Sequence, residues 1–170
     1  PETDKALYES YKVADTVECD VILGTDPDCD RVAIAVPCSE GGYQKLSGNE
    51  LGCLLLDYIL AARTSRNDIP ESAIAVRSIV SSPLADRICS HYGIEMKRVL
   101  TGFKYIGGEI LALEEIGQEN RYIFGFEESC GYLKGTYARD KDAVVASMLI
   151  CEMTAYYKQQ GFSLLDALRN

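Results

Sequence analysis

The sequence has no C-x-x-C pair and only one histidine, His91. Its seven cysteines (Cys19, Cys29, Cys38, Cys53, Cys89, Cys130, Cys151) are scattered, and the closest of them lie nine or ten residues apart. This spacing, with a single histidine, argues against a four-ligand zinc site. An odd, dispersed set reads instead as buried free thiols in a reducing cytoplasm. No apolar run approaches the length needed to cross a bilayer, and no signal-peptide pattern opens the chain. A cytoplasmic protein without a membrane partner is therefore expected. A basic surplus is also missing. The net charge of −9 argues against nucleic acid, whose phosphates require clustered Lys and Arg. A small anionic ligand held by local basic residues stays open. Internal repeats, low-complexity segments and Pro/Gly/Ser-rich linkers are lacking too, and the turn near Glu40–Leu46 is the one boundary candidate.

What is present is the balance of a globular chain. Its 170 residues, 47% apolar and 25% charged, can bury a core the size of one domain, or one domain plus a fragment. The chain opens at Pro1, and Leu164, Leu165 and Leu168 look like the first turns of a further helix, so both ends read as cuts within a longer protein. Periodicity predicts a helix at Asp4–Ala14, a strand at Asp20–Gly24 and an extended segment at Val32–Pro37. Ser47 and Glu50 form an S-x-x-E capping box, followed by Leu51, Leu54, Leu55, Tyr58, Ile59 and Ala62 at one-face helical spacing. Strands at Ala73–Val80, Ile94–Leu100 and Arg121–Phe126 then alternate with helices from Ser82-Pro83 to Tyr92, at Tyr105–Ile116 and at Asp142–Lys158. The last carries Val144, Met148, Cys151 and Ala155 on one side. This alternation predicts an α/β fold with a mostly parallel sheet and helices on both faces. Ligands gather at the carboxyl ends of such strands.

The densest chemistry is Thr25-Asp26-Pro27-Asp28-Cys29-Asp30-Arg31, directly after an apolar strand. In a curved loop, carboxylates at alternate positions turn toward one point, and hard oxygen donors suit Mg²⁺. Without a cation their charges repel, so the bland alternative is a solvated acidic turn. An EF-hand fails, because Arg31 and Pro37 stand where Gly and Glu are required. An aspartyl-phosphate phosphatase competes better: Asp28-Cys29-Asp30-Arg31-Val32 fits D-x-D-x-[TV], with Ser81 and Lys104 available for supporting roles. Pro27 interrupts the strand before that nucleophile and weakens the reading.

Two further segments sit at predicted strand ends. In Phe124-Gly125-Phe126-Glu127-Glu128-Ser129-Cys130-Gly131-Tyr132, Glu127 and Ser129 point the same way if the loop is extended, and could bind neighbouring sugar hydroxyls. In Thr101-Gly102-Phe103-Lys104-Tyr105-Ile106-Gly107, the glycine allows close backbone approach and the lysine could hold an oxyanion or move a proton. Arg139 and Lys141 resemble a basic clamp. Taken alone, each of these segments reads more readily as an ordinary surface feature.

Taken together and in order, T-D-P-D-C-D-R, T-G-F-K-Y-I-G, F-G-F-E-E-S-C-G-Y and R-D-K-D-A closely resemble the α-D-phosphohexomutases, across essentially the whole chain. The resemblance implies that Asp26, Asp28 and Asp30 bind Mg²⁺ and that Arg31 lies beside the transferring phosphoryl group. It also implies that Glu127 and Ser129 bind sugar hydroxyls, that Thr101 and Gly102 shape the sugar pocket, and that Lys104 is a candidate general acid or base. The E-E-S form looks like phosphoglucomutases, including the pentose-phosphate branch, more than mannose- or glucosamine-phosphate enzymes. Cys29 stands where Gly or Ala is usual, and Cys130 where an aromatic or small residue is. A T-A-S-H-N-P-like phosphoserine loop and a C-terminal phosphate-binding domain are absent from this sequence. The resemblance thus implies that residues 1–45 are the end of a second domain and residues 46–170 a third. The missing domains of the same polypeptide would be partners in converting glucose 1-phosphate to glucose 6-phosphate through glucose 1,6-bisphosphate.

Overall fold

The computed structural model describes residue 1 and residues 3–169. Helix α1 (Asp4–Ala14) precedes a three-stranded antiparallel sheet of β1 (Ile22–Thr25), β2 (Val32–Pro37) and β3 (Tyr43–Lys45), paired in the order β1-β2-β3. Helix α2 (Gly48–Ser65) leads into β4 (Ile74–Ser78), α3 (Leu84–His91), β5 (Glu95–Val99) and α4 (Phe103–Glu114). Then follow β6 (Tyr122–Glu127), β7 (Gly131–Leu133), α5 (Ala143–Gln159) and α6 (Leu164–Arg169). The second sheet runs β5-β4-β6-β7, parallel through β6, with β7 returning antiparallel.

Why the second sheet is covered on both faces is visible in β4, where every residue is buried. Ala73 and Ala75 face a core shared with Leu51, Leu55 and Ile59 of α2 and Ala85 and Cys89 of α3, while Ile74 and Val76 face Phe103, Ile106 and Ile110 of α4. Period-two alternation thus feeds two apolar layers. The capping box forms as read: Ser47 Oγ accepts from Glu50 N–H at 3.3 Å and a Glu50 carboxylate oxygen accepts from Ser47 N–H at 2.7 Å, satisfying two otherwise orphaned groups.

The structure corrects three expectations. The acidic loop belongs to an antiparallel hairpin rather than to the parallel sheet, because β1 pairs with the very next strand. Strands β3 and β7, three residues each, leave no periodic trace in the sequence. Finally, the α5 stripe faces solvent, with Val144 58% and Met148 67% exposed, while Ala146, Ile150 and Met153 are buried. That helix is apolar on nearly every side, so periodicity alone does not set its phase. Asp142 fixes its start, accepting the N–H groups of Val144 and Val145 as N-cap, and packing against β7 and α2 selects the buried face.

Candidate functional site

The acidic loop is a hairpin turn closed by its own first carboxylate. Asp26 Oδ1 accepts the N–H groups of Asp30 and Arg31 at 3.2 and 3.0 Å, and Oδ2 accepts Arg31 Nε at 2.7 Å. Burial disfavours the charged form of Asp26, but the hydrogen bonds from Arg31 and Asp30 outweigh it and hold the carboxyl at about 2. Asp26 is buried and Asp28 exposed, with Asp30 between them. One ligand oxygen from each lies within 4.8 Å of the others. Three convergent carboxylates of hard oxygen, one of them open to solvent, fit a Mg²⁺-sized cation.

A second cation partly answers this charge. Lys141 Nζ is 2.8 Å from Asp30 and 3.0 Å from Asp140, and lies 5.8 Å from the Phe103 ring centroid. Its burial lowers the ammonium's pKa, yet the pairings with Asp30 and Asp140 raise it on balance. Gly131 makes room for this lysine, since a Cβ there would overlap its stem.

Cys29 adopts φ +59°, a left-handed conformation that costs a non-glycine residue on the order of 1 kcal/mol. Cys29→Gly should therefore stabilise the chain by about 0.5–1 kcal/mol and Cys29→Val destabilise it, measured by urea unfolding. A lower midpoint for the glycine variant would contradict the strain.

Backbone bonds join this loop to the second motif. Val32 N–H donates to the Cys130 carbonyl at 3.2 Å, Arg31 and Gly131 form an antiparallel bridge, and Ala143 N–H at the start of α5 donates to the Cys29 carbonyl at 3.1 Å. The segment Glu128–Cys130 is a tight turn between antiparallel β6 and β7, not an extended strand-to-helix loop, and Cys130 takes φ +64°. Glu127, 5% exposed, accepts Gly102 N–H at 2.6 Å. That bond ties this turn to the third motif, where Gly102 has φ +118°. Ser129 is half-buried and Thr101 exposed. Helix α4 begins two residues earlier than periodicity indicates, so Lys104 lies in its first turn. Its side chain is exposed, with Nζ 4.9 Å from the Tyr105 ring centroid.

All nine candidate residues therefore lie on three segments joined directly or through Lys141 and Glu127. Residues 47–170 match the family profile described as "Phosphoglucomutase/phosphomannomutase, alpha/beta/alpha domain III". The chain belongs to the phosphoglucomutase/phosphomannomutase family. Phosphoglucomutase of Staphylococcus epidermidis is 38% identical over 170 residues, covering 100% of this chain and 30% of the relative. That of Staphylococcus aureus is 37% identical over 168 residues, 99% of this chain and 29% of the relative. The chain thus spans about a third of the length of these curated relatives.

Among solved structures, a phosphoglucomutase/phosphomannomutase family protein from Burkholderia thailandensis superposes with TM-score 0.67 at 18% identity, over 89% of this chain and 30% of that one. Aspergillus fumigatus N-acetylphosphoglucosamine mutase, in complex with GlcNAc-6P and magnesium, superposes with TM-score 0.61 at 14% identity, over 91% of this chain and 36% of that one. These likenesses establish the family fold. Thr101, Gly102, Lys104, Glu127 and Ser129 lie within the profile match, and Asp26, Asp28, Asp30 and Arg31 precede it.

Sequence reasoning missed Glu128, Ser78 and Arg77. Glu128 Oε2 accepts from Ser78 Oγ at 2.9 Å and Ser81 Oγ at 3.2 Å, and Arg77 donates to the carbonyls of Ser78 and Ser81. The available signal was Arg77 itself, a charge inside an apolar strand, where burial without partners is prohibitive.

Proposed function

We propose that this chain is the metal-loop and sugar-loop portion of a phosphohexomutase that interconverts glucose 1-phosphate and glucose 6-phosphate through glucose 1,6-bisphosphate. One observation carries the reading: the acidic loop and the Glu127–Ser129 turn are stitched together by the Val32–Cys130 bond and the Arg31–Gly131 bridge. Groups suited to a cation and groups suited to sugar hydroxyls are thereby held side by side. The GlcNAc-6P and magnesium complex of the Aspergillus mutase supports the same ligand classes.

Mg²⁺ held by Asp26, Asp28 and Asp30 would supply positive charge opposite a transferring phosphoryl group. Arg31, fixed by Asp26 at 2.7 Å, keeps its guanidinium beside that loop. Glu127 and Ser129 bind sugar hydroxyls, Thr101 and Gly102 shape the pocket, and Lys104, exposed on the first turn of α4, holds or moves a proton on a sugar oxygen. A phosphoserine outside residues 1–170 donates the phosphoryl group. The division into 1–45 and 46–170 belongs to the same proposal. It is supported by the first sheet ending at Lys45, α2 starting at Gly48 and the profile starting at residue 47. So does a cytoplasmic location, on the strength of seven free cysteines.

The phosphatase alternative finds no support in the geometry. Ser81 is 3% exposed and engaged with Glu128, and Lys104 leans on Tyr105. The 170-residue chain with glucose 1-phosphate, a trace of the bisphosphate and Mg²⁺ should form neither glucose 6-phosphate nor free phosphate, because the donor and the far phosphate clamp are missing. Glucose 6-phosphate would overturn the placement of the phosphoserine, and phosphate release abolished by Asp28→Asn would favour the phosphatase.

A further inference from the structure

A buried polar network behind the sugar turn has no part in the chemistry described so far. Ser78 is fully buried, Ser81 3% exposed and Arg77 5% exposed, all at the carboxyl end of β4. Arg77 Nη1 donates to the Ser78 and Ser81 carbonyls at 2.9 and 2.8 Å, which closes the 78–81 turn, while its Nε and Nη2 reach Asp86 at 2.9 and 2.6 Å. The turn is held further by Asn49 Oδ1, which accepts Ser82 N–H at 2.8 Å. Its two hydroxyls are 2.7 Å apart and both reach Glu128 Oε2. Two hydroxyl protons serve these three contacts, and each serine can donate to the carboxylate or to the other serine. The arrangement needs only an acceptor oxygen at position 128.

This oxygen meets the turn at its middle, between the β6–β7 pairing of Glu127 with Gly131 and the Val32–Cys130 bond. Cys130 sits at φ +64°, a conformation that persists in a non-glycine residue only when its surroundings impose it. The turn's backbone also lies directly on the first residue of α2: a Cβ on Gly48 would overlap the Glu128 carbonyl. Glu127 and Ser129 flank Glu128 on this same turn, and Glu127 carries the bond to Gly102.

We propose that Glu128 is the positioning residue of the sugar turn: anchored by Ser78 and Ser81, it fixes the backbone that aims Glu127 and Ser129. The proposal deepens the hexose-phosphate reading and rests on it for what the turn binds. Glu128 does not touch the sugar; it acts through its neighbours.

Amide hydrogen exchange at Gly102, whose N–H is bonded to Glu127, reads the turn without reference to activity. It is compared with Leu55 in α2 as a control for the fold, in wild type, Glu128→Ala, Glu128→Gln, Ser78→Ala/Ser81→Ala, and the triple variant. Expected are exchange at Gly102 faster by about tenfold in Glu128→Ala and in the serine double variant, no further increase in the triple variant, and less than about twofold change in Glu128→Gln, whose amide oxygen accepts the same hydroxyls. In the full-length protein, kcat/KM for glucose 1-phosphate should follow the same order. If Glu128→Ala does not fold, the glutamine and serine variants carry the test. Unchanged exchange in the alanine and serine variants overturns the proposal. So does a glutamine variant as impaired as alanine, or a loss of activity from Glu128→Ala that persists undiminished without the serines, since each would make Glu128 a direct ligand. The expected exchange pattern in a protein inactive on hexose phosphates would uphold the anchor and refute the substrate.

Discussion

Asp28→Asn in the full-length protein is expected to lower kcat by about 10²–10³-fold with glucose 1-phosphate at saturating Mg²⁺, the loss typical of removing one group that stabilises transition-state charge. Asp28 is the cleanest of the three carboxylates to alter. Asp26 also closes its own hairpin through Arg31, and Asp30 is paired with Lys141. Asp28 is exposed and takes no hydrogen bond or ion pair among the described residues. Its replacement should therefore leave stability within about 0.5 kcal/mol, as for an ordinary surface change. Steady-state kinetics with a parallel unfolding curve checks both halves. An unchanged kcat would remove Asp28 from the cation site, and a large loss of stability would make the kinetic result uninterpretable as chemistry.

Asp86→Ala should cost about 3–5 kcal/mol, because it strands a guanidinium already taken out of water. Arg77 has 6% of its side chain exposed, and one oxygen of Asp86 accepts two of its N–H groups. The other oxygen accepts Arg98 Nε at 2.6 Å. Burial raises the Asp86 carboxyl, but Arg98 and Arg77 outweigh it and hold it below the ordinary 3.8. A depressed carboxyl stabilises the fold at pH values above its unfolded pKa, and the contribution is lost as pH falls through the folded value. Stability from this pair is thus intact at neutral pH and declines below about pH 4, a dependence that Asp86→Asn should flatten. Urea unfolding between pH 2 and 7 measures it. Equal stability of Asp86→Ala and wild type at pH 7 would mean that Arg77 is hydrated in solution.

The parts of this molecule legible in the sequence are those whose signal is local. Three alternating carboxylates locate the acidic loop without reference to anything distant, and Ser47 with Glu50 marks the start of α2. The parallel strands β4 and β6 announce themselves through apolar runs between helices, whereas β5, Glu95-Met96-Lys97-Arg98-Val99, is legible only from its place between α3 and α4. What was hidden is non-local or too short to be periodic. Nothing near Gly131-Tyr132-Leu133 says that it turns back to pair with β6, so the sequence leaves open whether Glu127 and Ser129 lie on an extended loop or on a tight turn. Nothing near Lys141 says that it meets Asp30 across the chain. Likewise nothing in the sequence separates Glu128 from Glu127; the fold brings Ser78 and Ser81 to the one and the Gly102 N–H to the other. The phase of α5 was lost for a different reason: an apolar helix offers several equivalent faces, and the one that is buried depends on the Asp142 cap and on which partner is available.

The most direct measurement follows the phosphorus itself. The full-length protein is incubated with glucose 1-phosphate, a trace of glucose 1,6-bisphosphate and Mg²⁺, and ³¹P NMR monitors where the phosphoryl group resides. The glucose 1-phosphate resonance is expected to give way to that of glucose 6-phosphate without inorganic phosphate, and chelation of the metal to stop the exchange. Release of inorganic phosphate as the main product, or interconversion that continues undiminished after the metal is removed, would contradict this expectation.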